Sequence, residues 1–133
     1  MNLFKLDIIT PFGSYYSQEV ESIKFSNEEF VLMVLANHTP IVSKVAICEL
    51  VIKTGKNTLY YAISGGVVNV KKDHTVTLLV NSIERSDEID VSRAEASKKR
   101  ALERLESKEP LDRDRTLRSL KRAEIRLLVS LKK

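Results

Sequence analysis

The sequence predicts an α+β fold, with an N-terminal antiparallel β-sandwich over residues 1–86 and a C-terminal α-helical hairpin over residues 87–133. Three changes in composition near residue 86 lead to this prediction. Of the Val, Ile and Thr residues, which favour strands, 25 precede residue 87 and only 5 follow it. All eight aromatic residues and all four glycines lie before residue 67. The net charge of +4 lies in the second part, because residues 1–86 hold eight basic and eight acidic side chains.

Short apolar runs separated by polar or turn residues predict the strands of the sandwich. In chain order the runs are Leu3–Ile9, Val20–Phe25, Phe30–Leu35, Ala46–Lys53, Leu59–Ile63, Val67–Val70 and Val76–Val80. Turns are predicted at Thr10–Gly13, Asn37–Pro40, Thr54–Asn57, Ser64–Gly66 and Lys71–His74. Many short strands at close spacing, with no helix between them, are typical of a sandwich or flattened barrel.

Two helices are predicted in the second part. The first begins after Asp90, a suitable N-cap, and continues to about Glu106. The second begins near Asp112 and continues to the C-terminus. Because the link between them is short and contains Pro110, we expect the helices to lie side by side in an antiparallel hairpin.

The predicted helices have small apolar faces. On a helical wheel the arginines of the second helix form one narrow stripe, and its apolar residues lie opposite. The stripe is Arg115, Arg118, Arg122 and Arg126, and the apolar side is Leu117, Leu120, Ala123, Leu127 and Leu131. The first helix offers Ala94, Ala101, Leu102 and Leu105. Because burying such a face stabilises the hairpin by about as much as ordering it costs, we expect a marginal hairpin that a partner or ligand can displace.

The motifs of common catalytic and metal centres are missing from the sequence. It lacks a Gly-x-Ser-x-Gly elbow, a His-Glu-x-x-His helix and a phosphate-binding loop. The single Cys48 excludes a disulfide framework, and in its predicted strand it is expected to be a small core residue. His38 and His74 are too far apart to indicate a metal site. With no signal peptide at the N-terminus and no apolar run long enough to cross a membrane, we expect a cytoplasmic protein with neither catalytic residues nor metal.

Three interpretations of the basic helical region follow from the residues alone. It is a solvated face with pairs such as Glu95 and Lys99, a nucleic-acid-binding surface, or a site for a phosphate-bearing small molecule. Ten interspersed acidic residues and the absence of aromatic residues argue against nucleic acid. Asp90, Arg93 and Arg100 can converge with three arginines of the stripe on a phosphate, which guanidinium groups bind through paired donors. These three are Arg115, Arg122 and Arg126. Periodicity does not choose among the three.

Four segments identify a resemblance that does choose. They are Thr10-Pro11, Asn37-His38-Thr39-Pro40, Ser64-Gly65-Gly66-Val67-Val68-Asn69-Val70 and Ile89-Asp90-Val91-Ser92-Arg93-Ala94. In this order the chain resembles, over essentially its whole length, the epsilon subunits of rotary F-type ATP synthases. The last two segments are the most specific. The resemblance implies a ten-stranded sandwich followed by two helices.

The resemblance also implies a function. Such a subunit is non-catalytic, binds the gamma subunit of the central stalk, lies against the ring of c subunits and turns with them. Its helices either fold on the sandwich or extend into the catalytic head of alpha and beta subunits, where they block rotation in the hydrolysis direction. The residues expected to contact the beta subunit are Arg115, Arg118, Arg122 and Arg126. The implied location is peripheral, at the cytoplasmic face of the bacterial cell membrane.

Some members of that family bind ATP on the folded hairpin without hydrolysing it. The matching positions in this chain are Glu84, Ile89, Asp90, Arg93, Ala94, Arg100, Arg115, Arg122 and Arg126. By this analogy Asp90 accepts from the adenine amino group or orients Arg93, and the arginines hold the phosphates. ATP is then a regulatory ligand, and no cofactor is required.

The alternative to a stalk subunit is a free-standing ATP-sensing module that uses the same arginines. A stalk subunit leaves membranes together with the ATPase head, whereas a free sensor stays in the soluble fraction. One departure from the family is expected in Asn27–Leu35, which lacks the glycines that often precede the His-x-Pro turn. The loop there is expected to differ, although a strand is still predicted.

Overall fold

The computed structural model describes residues 2–107 and 112–132. The strands within these ranges are β1 (Phe4–Thr10), β2 (Gly13–Val20), β3 (Ser22–Ser26), β4 (Val31–Leu35), β5 (Ile41–Thr54), β6 (Asn57–Val70), β7 (Val76–Val80) and β8 (Ile83–Arg85). A short 3-10 helix, Ser86–Glu88, leads to the helices α1 (Val91–Glu106) and α2 (Arg113–Ser130). The predicted α+β fold, a β-sandwich followed by a helical hairpin, is confirmed.

The long strands β5 and β6 build both layers of the sandwich. They pair antiparallel in a single register from Ile41 opposite Val70 to Thr54 opposite Asn57. The second half of β6 adds β7, which in turn adds β1 and β2. Near the opposite end of this hairpin, β5 pairs with β3, which in turn pairs with β4, and β6 pairs with β8. Both layers therefore depend on one hairpin.

The core lies between these layers and follows the alternation of each strand. In β1 the side chains of Phe4, Leu6 and Ile8 point inward, whereas Lys5 faces solvent. Residues from both layers form a single buried cluster, and its largest fully buried side chains include Phe25, Leu6, Ile8, Ile23, Leu50, Ile52, Ile63 and Leu78. Because inward and outward positions alternate with a period of two, the apolar pattern fixes the face of each strand.

Ser64–Gly66 is predicted to be a turn or a bulge with positive φ, and the turn is wrong, because β6 continues through these residues. Gly65 has the positive φ that we expect of a turn or bulge, at +93°, yet it lies inside the strand opposite β5. At Gly66 an added Cβ would lie 1.8 Å from the carbonyl oxygen of Leu79. Gly66 thus allows close approach of β7 to β6, and the chain does not reverse here.

Two further expectations about the strands are corrected. The described residues contain eight strands instead of the ten that the resemblance implies, because β5 and β6 each run the length of two expected strands. The sandwich is antiparallel except where β1 pairs parallel with β7. Strands β2 and β8 were not predicted, because β2 is a mostly exposed polar edge strand and β8 has only three residues.

The helices begin where the sequence predicts. The Asp90 carboxylate accepts a hydrogen bond from the backbone N–H of Arg93, and Asp112 does the same for Arg115, each at 3.0 Å. These are N-caps of the kind that satisfy the first free amides of a helix. Neither helix is long and apolar enough to cross a membrane, among the residues that the structure describes.

The buried side of α2 differs from the predicted one. Ala123 is fully buried as expected, but Leu117 and Leu131 are 42% and 77% exposed. The contact with the sandwich is made by Val129, which is fully buried, and by Ile125. Helix α2 packs on both α1 and the sandwich, so a second buried face lies beside the arginine stripe.

We predict that Gly66→Ala lowers the free energy of unfolding by about 3 kcal/mol, because the new methyl group overlaps the Leu79 backbone and one strand must shift. Gly55→Ala is the matched control. Gly55 also has positive φ, at +57°, but has open space around its Cα, so only the conformational cost of about 1 kcal/mol applies. Urea unfolding of both variants measures the difference. If both variants lose the same free energy of unfolding, contact with the Leu79 backbone does not restrict the residue at position 66.

Candidate functional site

A cleft lies between α1, the C-terminal part of α2 and β8, and we call it the interhelix cleft. Its volume is about 420 Å³. The lining side chains are Glu84, Glu88, Asp90, Arg93, Ala94, Ser97, Arg100 and Arg126. Six of the nine predicted ATP-binding positions are therefore brought together here, from segments 42 residues apart in sequence.

The first wall of the interhelix cleft consists of β8 and the 3-10 helix, and local structure fixes its position. Pairing of β8 with β6 sets Glu84 opposite Ala62 at the end of the sandwich. The Arg85 side chain then bonds to both carboxylate oxygens of Asp87, at 2.6 and 3.1 Å, across the start of the 3-10 helix. Through this pairing the Arg85 guanidinium holds the pKa of the Asp87 carboxyl below its usual value. The turn carries the chain from the sandwich to the Asp90 cap of α1.

The second wall is one face of α1. Arg93, Ser97 and Arg100 follow one another at spacings of four and three, so they lie on the same side of the helix. The Arg100 guanidinium donates to the Ser97 hydroxyl at 3.2 Å. Sequence reasoning missed Ser97 and Glu88, although helical spacing from Arg93 was a sufficient signal for Ser97.

The third wall of the interhelix cleft is α2, and an ion pair joins it to β8 in the first wall. Arg126 Nε donates to Glu84 Oε1 at 2.6 Å, and the two side chains are 31% and 35% exposed. A pair this accessible contributes about 0.2–1 kcal/mol. The pair mainly fixes the position of α2, because it connects this helix to β8, the last strand of the sandwich.

Opposite charges balance in the interhelix cleft. Three carboxylates and three guanidinium groups line it, with Arg126 already paired to Glu84. Arg93 and Arg100 form no ion pair within 2–107 and 112–132, so both are available to an anion. Guanidiniums suit phosphate oxygens, and carboxylates accept from amino groups. The cleft can therefore bind a ligand that has phosphates at one end and a donor-bearing base at the other.

Three predicted positions lie outside this lining. Ile89 is buried against Ala62 and Val129, where it helps to attach the hairpin to the sandwich. Arg115 is exposed in the first turn of α2. Arg122 lines a neighbouring cavity between α2 and the sandwich, together with Arg118. The expected convergence of all the arginines on one ligand is therefore incomplete in this arrangement of the helices.

The hairpin is attached to the sandwich by a small apolar cluster, which we call the anchor cluster. It consists of Ala62, Ile89 and Val129, with Tyr60 and Ile125 partly buried beside them. Lys132 Nζ lies 5.5 Å from the centre of the Tyr60 ring, which adds a cation–π contact. Between the helices the buried residues are small, namely Ala94, Ala101, Thr116 and Ala123. Little apolar area therefore attaches the hairpin to the rest of the chain.

Chemistry other than binding has little support in the described residues. No group of three or more His, Cys, Asp or Glu side chains among them is arranged to hold a metal ion. Cys48 is buried in the core, as expected, and burial raises the pKa of its thiol. A thiol that stays protonated inside a core is a poor nucleophile.

We predict that Asp90→Ala increases solvent exchange of the Arg93 amide about fivefold, because this amide loses the carboxylate that accepts its hydrogen bond and the N-cap contributes about 1 kcal/mol. Hydrogen exchange followed by NMR measures the effect. Asp90→Asn is the control, since Asn caps a helix as well as Asp does. If both variants exchange equally fast, the effect comes from the charge of Asp90 and not from the cap.

Comparison with known proteins gives matches over nearly the whole chain. The family model of the ATP synthase Delta/Epsilon chain beta-sandwich domain matches residues 3–86, and that of the long alpha-helix domain matches residues 87–130. An ATP synthase epsilon chain of Bacillus mycoides is 38% identical, and one of Bacillus cytotoxicus is 39% identical. Each alignment covers 98% of this chain and 98% of the relative.

Solved structures show the same fold. A chain in the cryo-EM structure of the Euglena gracilis mitochondrial ATP synthase, OSCP/F1/c-ring, superposes with a TM-score of 0.85 at 22% identity over 97% of this chain and 81% of that chain. A chain in the Tetrahymena thermophila mitochondrial ATP synthase central stalk/c-ring structure gives 0.66 at 17% identity, over 97% and 94%. Taken with the sequence matches over both parts of the chain, these results show that the chain belongs to the ATP synthase Delta/Epsilon chain family, whose members are non-catalytic subunits of the ATP synthase.

Proposed function

We propose that this chain is a central-stalk subunit that couples rotation to ATP synthesis in a proton-translocating ATP synthase, and that its C-terminal helices inhibit ATP hydrolysis. The proposed partners are the gamma subunit, the c-subunit ring and, when the helices extend, the alpha and beta subunits of the catalytic head. The proposed location is the cytoplasmic face of the bacterial cell membrane. Family membership over both parts of the chain supports this role.

The observation that carries the inhibitory part is the small anchor cluster. Val129 is the fully buried side chain that α2 contributes to it. Full burial of such a side chain contributes about 1.5–3 kcal/mol, and the exposed ion pair between Glu84 and Arg126 adds less. The conformational entropy lost when the residues that link the sandwich to the helices become ordered opposes these two contributions. A hairpin held this weakly can leave the sandwich and extend, as a two-state regulator must.

The arginine stripe connects the two states. Arg115 and Arg118 are exposed in the folded hairpin and are free to meet an acidic surface on the catalytic head. Arg126 is paired with Glu84 when folded, so it becomes available only after α2 has left. The folded and extended states therefore compete for the same side chain.

ATP bound in the interhelix cleft would favour the folded state. Arg93 and Arg100 from α1 are proposed to hold the phosphates, and Asp90 or Glu88 to accept from the base. The ligand would then join α1 to α2 and β8. At a concentration ten times its dissociation constant, ATP stabilises the folded form by about 1.4 kcal/mol. This is sufficient to shift a balanced equilibrium about tenfold.

We predict that Glu84→Lys inhibits hydrolysis at a concentration about fivefold lower than the unmodified chain. The change removes the ion pair and sets a positive charge beside Arg126, which favours release of α2. The assay is ATP hydrolysis by a catalytic head depleted of its own subunit of this family and titrated with each chain. Glu29→Lys, at an exposed position in the β3–β4 loop, is the charge-matched control and should inhibit like the unmodified chain.

The double variant Arg115→Gln/Arg118→Gln tests whether the exposed arginines of α2 contact the catalytic head. It should bind the head through the sandwich yet inhibit several-fold less, because the exposed contacts to the beta subunit are lost. Normal binding with normal inhibition would exclude these arginines from the contact. If none of the chains binds the head, the stalk assignment itself is wrong, and the free-standing ATP-sensing module replaces it.

We predict that Arg93→Gln/Arg100→Gln weakens ATP binding at least about tenfold, since two charge-assisted contacts are removed. Isothermal titration calorimetry of the full chain measures the dissociation constant. Arg104→Gln/Arg113→Gln removes the same charge from exposed positions outside the interhelix cleft and should leave affinity unchanged. Equal weakening by both pairs would indicate general attraction to a basic surface, and the cleft would not be the site.

A further inference from the structure

A second cavity lies on the other side of α2, between that helix and the sandwich, and we call it the α2–sandwich cavity. Its volume is about 650 Å³, within the range of sites that bind small molecules. The helix supplies Leu117, Arg118, Lys121 and Arg122. The opposite wall is formed by the β3–β4 loop, by the middle of β5 and β6, and by Asn81 after β7. It shares no lining residue with the interhelix cleft, which lies on the α1 side of the same helix.

The charges of the α2–sandwich cavity are unbalanced. Arg118, Lys121 and Arg122 lie within two turns of α2, and Glu28 is the single acidic residue in the lining. None of the three cations forms an ion pair or a side-chain hydrogen bond within the described residues 2–107 and 112–132. In the interhelix cleft, by contrast, three carboxylates face three arginines. Three unpaired cations converging on one concave space attract an anion.

The sandwich wall supplies what a phosphate ester needs besides cations. The Oδ1 atom of Asn27 accepts from the backbone amides of Glu29 and Phe30, which fixes the side chain and leaves its NH2 group as donor. The Ser64 hydroxyl accepts from Ser82 at 2.7 Å, so its own hydrogen remains to be donated. Ile47, which is half-buried, adds apolar surface to the same wall, and Leu117 adds apolar surface from α2. Polar donors and apolar surface thus lie beside the three cations.

We propose that the α2–sandwich cavity binds a small organic phosphate. The phosphate lies on Arg118, Lys121 and Arg122, and the apolar part of the ligand lies against Ile47 and Leu117. Because the ligand touches both α2 and the sandwich, it holds α2 in the folded position independently of any ligand in the interhelix cleft. It also covers Arg118 and Arg122, two of the side chains proposed to contact the catalytic head.

The test is a titration of the full chain followed by amide NMR at an ionic strength of about 0.15 M, where surface attraction is screened beyond roughly 8 Å. The probes are phenyl phosphate, inorganic phosphate and phenol. We expect saturable shifts at Asn27, Ile47, Gly65 and Asn81, which line the cavity. Phenyl phosphate should bind more tightly than either phosphate or phenol alone, because only it uses the cations and the apolar wall together. Shifts that stay linear with concentration would overturn the proposal.

Matched variants separate this site from the interhelix cleft. Arg118→Gln/Lys121→Gln should weaken phenyl phosphate about tenfold or more, whereas Arg104→Gln/Arg113→Gln should not. Equal weakening by both pairs would mean general attraction and would overturn the proposal. ATP binding in the cleft is followed separately, at the amides of Ala94 and Ser97. Failure of one site therefore leaves the other measurable in the same spectra.

Discussion

The hairpin of β5 and β6 is the interaction on which the rest of the structure depends. Its single register over the whole length of both strands sets which residues face the core in each layer. The remaining strands join the sheet through one of these two, directly or through a neighbour. Gly66 permits β7 to approach where a side chain would collide with the Leu79 backbone. The same hairpin sets the position of β8, and through β8 the position of Glu84 and the start of the helices.

The attachment of the helices is weak compared with the core of the sandwich. The core cluster extends through both layers, whereas the anchor cluster consists of Ala62, Ile89 and Val129 with two partly buried neighbours. Small side chains between α1 and α2 keep the helices close but remove little apolar area from water. This difference lets one chain combine a rigid part with a displaceable part. It is the physical basis of the regulatory role that we propose.

Helix α2 separates two concave sites of different electrostatic character. In the interhelix cleft, three carboxylates and three guanidiniums line the space, which suits a ligand with both acceptor and donor ends. In the α2–sandwich cavity the three cations outnumber the one carboxylate, Glu28, and form no ion pair with any residue that the structure describes, which suits a compact anion with an apolar part. Both sites include α2 and at least one strand or loop of the sandwich. A ligand in either one therefore opposes the departure of α2, and the two effects add if the sites are independent.

The sequence by itself determined the fold class, the start of each helix at Asp90 and Asp112, the burial of Cys48 and the shared face of Asp90, Arg93 and Arg100. These features depend on local periodicity and capping, which neighbouring residues in the chain decide. Tertiary structure alone decided that Ser64–Gly66 continues a strand, that β1 pairs parallel with β7, and that Glu84 meets Arg126. It also moved Arg122 to the second cavity and buried Val129 instead of Leu131. Each of these depends on which distant surface a residue faces, and a helical wheel or an apolar run contains no information about a second partner.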